Sequence, residues 1–373
     1  MIHTEKKDFF KEKPLVLVSP LDWGLGHTTR MIPVIRCLMQ SGCEVVVACN
    51  STQKLLLENE FPGMGFVYLQ GYGIRYGFNK TSTRGKLLLL LPYILIKIKR
   101  EQMWFLRFLK QNKVAAVISD NRYGLIAPGI PVVLVTHQLN IRSGLGKLAD
   151  GIVRRLLYQR LKKFTECWVP DFEFGLNFAG YLSHPDRLPA IPVRYTGCLS
   201  RFEPCGHHSN SVQILILLSG PEPQRTILEN RVLSQLKAGS YKEVVLIRGL
   251  PQSEYALTAI PGVLILNHAD ANKLNQFICA SALIISRAGY TTIMDVLKLQ
   301  KKMVVIPTPG QAEQEYLAKH LSANRLALSV CQKDFSIDEA LRQSAFFDYN
   351  IPQVNMDQFK EVIGNFIASQ FFL

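Results

Sequence analysis

The sequence predicts an α/β protein made of two similar halves, each a parallel sheet wound with helices. Three observations carry this expectation. Apolar runs of strand length alternate with helical patterns along all 373 residues, a polar stretch interrupts the alternation near the middle, and the glycine-containing polar segments fall just after strands. With 48% hydrophobic and 19% charged residues, the chain can fill two cores; a disordered chain, a collagen and a simple repeat array are excluded.

Taken in order, strands are expected at Leu15–Ser19, Glu44–Cys49, Val67–Leu69, Val114–Ser119, Val132–Thr136 and Cys167–Val169. A second set is expected at Gln213–Leu218, Glu243–Ile247, Val263–Leu266, Leu283–Ile285, Met303–Ile306 and Leu326–Val330. The stretch Arg201–Ser211, with Pro204 and Gly206, reads as the linker and divides the chain into residues 1–205 and 206–355. The first helix is expected after the loop Asp22–Thr29, with Pro33 in its first turn and Gly42 past its end. A last helix, within residues 356–373, follows Pro352 and can pack on either half.

The net charge of +14 is unevenly placed. Residues 1–205 hold 28 Lys and Arg against 15 Asp and Glu, whereas the remainder holds 15 against 14. Within Arg75–Lys113 there are ten basic residues and one acid, Glu101. Such a segment suits a nucleic acid, a membrane surface or an acidic small molecule. The beginning of the chain is too charged for a secretory signal. Leu87–Ile96, the longest purely apolar run, is ten residues long and contains Pro92, about half the roughly 20 residues that a spanning helix needs. Eight cysteines without a Cys-x-x-Cys pair read as buried thiols in a reducing compartment, which points to the cytoplasm.

In open α/β sheets, ligands bind beyond the carboxyl ends of the strands. After the first strand, Gly24 and Gly26 let the backbone approach a ligand, and His27 follows as a candidate general base or an ordinary loop histidine. Asp120 and Arg122 follow another strand, and His137, Gln138 and Asn140 a third. Asp120 is placed to orient the imidazole of His27, or to cap a helix or pair with Arg122. In the second half, Ser219 and Gly220 join a strand to a helix and can cradle a phosphate with backbone N–H groups. Arg287, Gly289, Thr291, Thr292 and Asp295 repeat this design, with the arginine or hydroxyls for phosphate oxygens and the acid for a ribose. Gln314 and Glu315 add polar groups that can hold sugar hydroxyls.

These motifs together resemble the GT-B glycosyltransferases, which have two Rossmann-like domains facing each other across a cleft. The resemblance is greatest to the family of the peptidoglycan lipid-intermediate N-acetylglucosaminyltransferase and the processive diacylglycerol glycosyltransferases. Gly24-Leu25-Gly26-His27 is similar to that family's glycine-rich loop ending in histidine. Thr136-His137-Gln138-Leu139-Asn140 resembles its His-Glu-Gln-Asn segment with the glutamate absent. Gly197-Cys198-Leu199-Ser200-Arg201 keeps the spacing of a Gly-Asn-Pro-Val-Arg element whose arginine approaches the donor diphosphate. Arg287-Ala288-Gly289 through Asp295 resembles an Arg-Ser-Gly segment leading to a ribose-binding acid, and Gln314-Glu315-Tyr316 a sugar-contacting Gln-Gln-Tyr. Ser219-Gly220 stands where the family has a diphosphate loop, here with two prolines and Glu222.

The resemblance implies an inverting, metal-independent transfer from a nucleotide-diphospho-sugar, a UDP-sugar by preference, to a hydroxyl acceptor that is lipid-linked or membrane-associated. No Asp-x-Asp occurs in the chain, and no cofactor is expected. His27, oriented by Asp120, is the expected base, with His137 its rival. The basic segment 84–113, read as an apolar surface rimmed with cations and carrying Trp104 and Phe105, is expected to lie peripherally on an anionic membrane, at the cytoplasmic face of the inner membrane, or else to be a kinked core helix with solvated lysines. Two other functions stay open from sequence: a nucleotide-sugar 2-epimerase of the same fold, and a non-enzymatic nucleic-acid binder using the basic half. No nucleic acid is the expected partner, because the basic residues interleave with long aliphatics and no stacking platform is recognisable.

Overall fold

Short runs of Val, Ile and Leu, buried on both faces, form two all-parallel sheets in the computed structural model. It describes residues 13–73, 91–141, 146–204, 206, 211–251, 253–255, 257–353 and 355–371. The first sheet contains β1 (Leu15–Ser19), β2 (Glu44–Cys49), β3 (Gly65–Tyr68), β4 (Ala116–Asp120), β5 (Val132–Val135), β6 (Glu166–Val169) and β7 (Val193–Tyr195), in the order β3-β2-β1-β4-β5-β6-β7. The second contains β8 (Val212–Leu217), β9 (Val244–Ile247), β10 (Val263–Leu266), β11 (Ser281–Ser286), β12 (Met303–Val305) and β13 (Leu328–Ser329), in the order β10-β9-β8-β11-β12-β13. Every strand expected from sequence is present; Leu15–Ser19, Glu44–Cys49 and Val263–Leu266 have the expected ends, and the others are shifted at one or both ends. The three-residue β7 was not foreseen, since its Val-Arg-Tyr run is too short to show alternation.

The helices of the first half are α1 (Leu25–Gln40), α2 (Ser51–Glu60), α3 (Leu91–Phe108) and α4 (Lys147–Leu161). Those that follow are α5 (Gln224–Ala238), α6 (Ala271–Ala280), α7 (Tyr290–Lys298), α8 (Ala312–Ala323), α9 (Ile337–Phe346) and α10 (Gln358–Phe371). In α10, Phe359, Ile363, Phe366 and Ile367 recur at helical spacing and bury against Met31, Ile35 and Trp168 in one core cluster. At roughly 1.5–3 kcal/mol for each fully buried side chain, this stripe fixes the last helix on the first half, beside α1.

Three expectations need correction. α1 begins at Leu25, not after Thr29, so Pro33 lies inside the helix rather than in its first turn. The helix starts early because Gly24, at φ 115°, takes a backbone conformation that turns the chain directly into it. Three of the four aromatic residues of α3 turn inward, Phe105 buried and Trp104 and Phe108 stacked 5.4 Å apart against the core, while Tyr93 is exposed. Residues 84–90 of the basic segment lie outside the described residues. Finally, Cys279 is disulfide-bonded and Cys331 is exposed, so the cysteines are not uniformly buried thiols.

Candidate functional site

In each sheet the strand order reverses direction at one point, between β1 and β4 in the first and between β8 and β11 in the second. A crevice opens where neighbouring crossovers leave in opposite directions. The four loops after those strands are the ones that carry Gly24–His27, Asp120–Arg122, Ser219–Gly220 and Arg287–Thr292. Topology therefore brings the polar segments together in pairs.

At the first crevice, Nδ1 of His27 lies 2.9 Å from Oδ2 of Asp120. Asp120 is fully buried, while the His27 side chain is 18% exposed. The sequence reading missed Arg30, which stands one turn after His27 on α1 and is also buried. Its Nε donates to Asp120 Oδ2 at 3.0 Å, a terminal nitrogen donates to Oδ1, and the same nitrogen is 2.9 Å from His27 Nδ1. The other terminal nitrogen is 3.3 Å from Nδ1 of His137, whose Nε2 is 2.8 Å from Oε1 of Glu313 on α8. The signal for Arg30 was its spacing of three from His27, visible only once both are placed on a helix.

The electrostatics follow from this packing. Burial lowers the His27 pKa, Asp120 raises it and Arg30 lowers it again, leaving it below the ordinary histidine value. Burial alone would raise the Asp120 pKa, but Arg30 and His27 hold it below the usual carboxylate range. For Glu313, the bond from His137 likewise outweighs burial and lowers the carboxyl.

His137 also stacks on Tyr290 of the second half, ring centroids 4.1 Å apart. Further contacts line the facing edges: Thr291 Oγ1 donates to the Gly26 carbonyl at 3.2 Å, and the Tyr181 N–H donates to the Tyr316 hydroxyl at 2.7 Å. A Cβ on Gly26 would meet Thr291 Oγ1 at 3.0 Å, so glycine here permits the close approach of the two halves.

Other predicted residues occupy supporting places. Arg122 is buried and bonds Glu101 and the carbonyls of Pro20 and Gln70. Asn140 donates to the Tyr181 carbonyl, and Gln138 takes up its loop beside His137. Arg201 pairs with Glu60 at 3.3 Å and lies over Phe202. Arg287 is buried and donates to the carbonyls of Ile306 and Gln224, so it braces β12 against the start of α5. Gln314 and Glu315 accept from the Thr308 and Gly310 N–H groups, shaping the loop before α8. The hydroxyl of Thr308 is buried without a partner among the described residues and lies near Gly220.

Asp295 accepts from the Ser200 hydroxyl of the first half, and burial pushes its pKa up to about 6. The unfolded chain releases this proton near pH 4, the folded chain only near pH 6, so a stability penalty grows between those values and is full above pH 6. Asp295→Asn keeps an acceptor for Ser200 and removes the charge. It is expected to raise stability at pH 7.5 by about 1–3 kcal/mol, with the gain shrinking towards pH 4 in denaturant titrations.

Residues 226–362 match the glycosyltransferase family 28 C-terminal domain. The chain is 25% identical over 320 residues to an uncharacterized glycosyltransferase of Methanosarcina acetivorans, covering 78% of this chain and 79% of the relative. It is 21% identical over 281 residues to one of Methanopyrus kandleri, covering 67% and 73%. Among solved structures, the spinosyn rhamnosyltransferase SpnG aligns over 95% of this chain and 96% of its own, with TM-score 0.61 and 17% identity. MurG of Acinetobacter baumannii aligns over 95% and 94%, with TM-score 0.53 and 15% identity. The parallel sheets, their paired crevices and these likenesses lead to one conclusion: the chain is a glycosyltransferase of GT-B fold that carries a glycosyltransferase family 28 C-terminal domain.

Proposed function

We propose that the protein transfers a sugar from a nucleotide-diphospho-sugar, a UDP-sugar by preference, to a hydroxyl of a lipid-linked acceptor, with inversion and without a metal. The observation that carries this reading is the His27–Asp120 pair at the first crevice, facing the loops of the second half. With Nδ1–H donated to Asp120, Nε2 of His27 has a free lone pair, and it makes no hydrogen bond to protein among the described residues. The acceptor hydroxyl gives its proton to Nε2 as its oxygen bonds the anomeric carbon. The bond from that carbon to the diphosphate oxygen breaks, and its electron pair leaves with the diphosphate. A single displacement inverts the anomeric centre.

The donor would lie at the second crevice. α7 begins just after Gly289 with no capping side chain, so its first N–H groups and the hydroxyl of Thr292 are suited to phosphate oxygens, joined by the Thr291 hydroxyl where it leaves the Gly26 carbonyl. Gly220, at φ 101°, and Ser219 form the opposing loop beside Thr308. At α5 the carboxylate of Glu222 already accepts from the Thr226 N–H, which makes α7 the better anion site. Arg287 holds both loops, Arg201 approaches from the first half, Asp295 would meet the ribose, and Gln314 and Glu315 the sugar. One solved neighbour, SpnG, has been crystallised with thymidine diphosphate, in keeping with a diphosphate donor. A thermal-shift panel of nucleotide sugars tests the donor class: stabilisation by one diphospho-sugar of about 2.7 kcal/mol is expected at 100 times its dissociation constant. No response to any member would overturn the reading.

Membrane contact is supported by two surface helices. On α3, Leu95, Ile96, Met103 and Leu106 are exposed among Lys99, Arg100 and Arg107. On α4, Leu148, Ile152 and Leu156 form an exposed stripe at spacing four, beside a cavity of about 320 Å³ lined by Arg154, Arg155, Lys162 and Arg187 with no acid. Both helices cover the same face of the first sheet, since Phe105, Leu157 and Leu161 share one core cluster. Among the described residues, no helix is long and apolar enough to cross a membrane. The protein is expected to sediment with anionic vesicles and to be released at roughly 1 M salt, where the Debye length falls to about 3 Å. Equal binding to neutral vesicles would oppose a charge-led contact.

A further inference from the structure

His27 and His137 come from different loops, yet both turn Nδ1 towards one guanidinium. Arg30, 1% exposed, stands 2.9 Å from the first nitrogen and 3.3 Å from the second while its fork holds both oxygens of Asp120. A guanidinium has five N–H donors, no acceptor, and does not lose its proton in proteins. Any ring nitrogen that bonds it must therefore carry a lone pair.

At His137 this selects one neutral tautomer. Nδ1 accepts from Arg30, and Nε2–H donates to Glu313 at 2.8 Å. Neither nitrogen is left to take a proton from an acceptor, which removes His137 as the rival base. At His27 a guanidinium nitrogen and an Asp120 oxygen both stand 2.9 Å from Nδ1; the Nδ1 proton is donated to the carboxylate, the only acceptor of the two, so Arg30 meets this ring as a neighbouring charge and not as a hydrogen-bond donor. Arg30 thus draws on the carboxylate that would otherwise belong wholly to the imidazole.

We propose that Arg30 is a positioning residue of the transfer reaction: it shares Asp120 with His27 so that His27 stays uncharged, and it fixes His137 as a neutral donor to the opposite half. This rests on the reading of His27 as the base. The groups facing His27 are Asp120 at the end of β4, Arg30 on its own helix, His137 after β5, and Glu313 from α8. Two carboxylates favour the imidazolium, and an imidazolium has no lone pair with which to accept the acceptor's proton. Burial of the ring opposes them first, and Arg30 is the fixed cation that adds to it.

Two variants test this, read by the pH dependence of kcat/KM and by ¹⁵N spectra of the two imidazoles. In Arg30→Met the acid limb of the profile and the His27 titration are expected to move up together by about one to two pH units, because the nearby cation is gone and Asp120 acts on His27 alone. In Arg30→Lys, which keeps a cation against the buried carboxylate and so protects the fold, the acid limb returns towards its original pH. There His137, without the fork, loses its single tautomer. A His27 titration unmoved in Arg30→Met, or an unchanged His137 tautomer in Arg30→Lys, overturns the proposal. Failure of the base reading is separable: a His27→Ala protein with full turnover would remove the base, while the ¹⁵N titrations would still report on Arg30.

Discussion

His27→Ala is expected to lower turnover by about 10²–10⁴-fold while leaving nucleotide-sugar affinity unchanged. The imidazole lies on the first half, and under the proposed reading its Nε2 serves the acceptor while loops of the second half bind the donor. Steady-state turnover and calorimetric titration of the donor separate the two quantities. Asp120→Asn should act in the same direction for two reasons. The neutral amide no longer favours Nδ1–H over Nε2–H, and the buried Arg30 loses its counter-charge. A His27→Ala protein with full turnover would transfer the base assignment elsewhere. A variant weakened equally in donor binding would show instead that His27 holds the closed arrangement of the two halves.

Loss of Glu101 is expected to unfold the first half more readily than any other single change in its basic segment. This acid, the only one between Arg75 and Lys113, is buried on α3. It accepts from Arg122 at 2.7 Å, from the Tyr72 hydroxyl at 2.9 Å and from the Gly124 N–H at 2.7 Å. Glu101→Ala leaves the fully buried guanidinium of Arg122 without its ion-pair partner, a change that costs about 3–5 kcal/mol. The urea midpoint should fall accordingly. Gly124 explains the tightness of the joint, since a Cβ there would come within 2.5 Å of the Ile98 carbonyl. A loss within the range of a surface ion pair, below about 1 kcal/mol, would show that water reaches Arg122.

Strand positions were legible because strands buried on both faces read as continuous apolar runs, and the loops after them because glycine and polar residues interrupt those runs. The pairing of His27 with Asp120 was foreseen as a possibility from their common place after strands, and the two are in hydrogen-bond contact. Arg30 was not legible for a local reason. Pro33 suggested a helix beginning near residue 30, and only a start at Leu25 puts residues 27 and 30 on one face. The attachments of Arg122, Arg287 and Asn140 were equally hidden, since a buried arginine has the same letter as a solvated one and its partners are distant in sequence. The outward cations of α3 could be counted, but the inward turn of Trp104 and Phe105 depends on the helix's phase against the sheet.

The last helix has a mechanical consequence. Because α10 packs on α1 after the second sheet is complete, the backbone passes between the two halves twice, once after β7 and once before α10. Two solid bodies joined by one strand can swivel in any direction, but two separated strands leave easy rotation only about the line through them. The edges that carry His137, Glu313, Gly26 and Thr291 can then part and meet again along a repeatable arc.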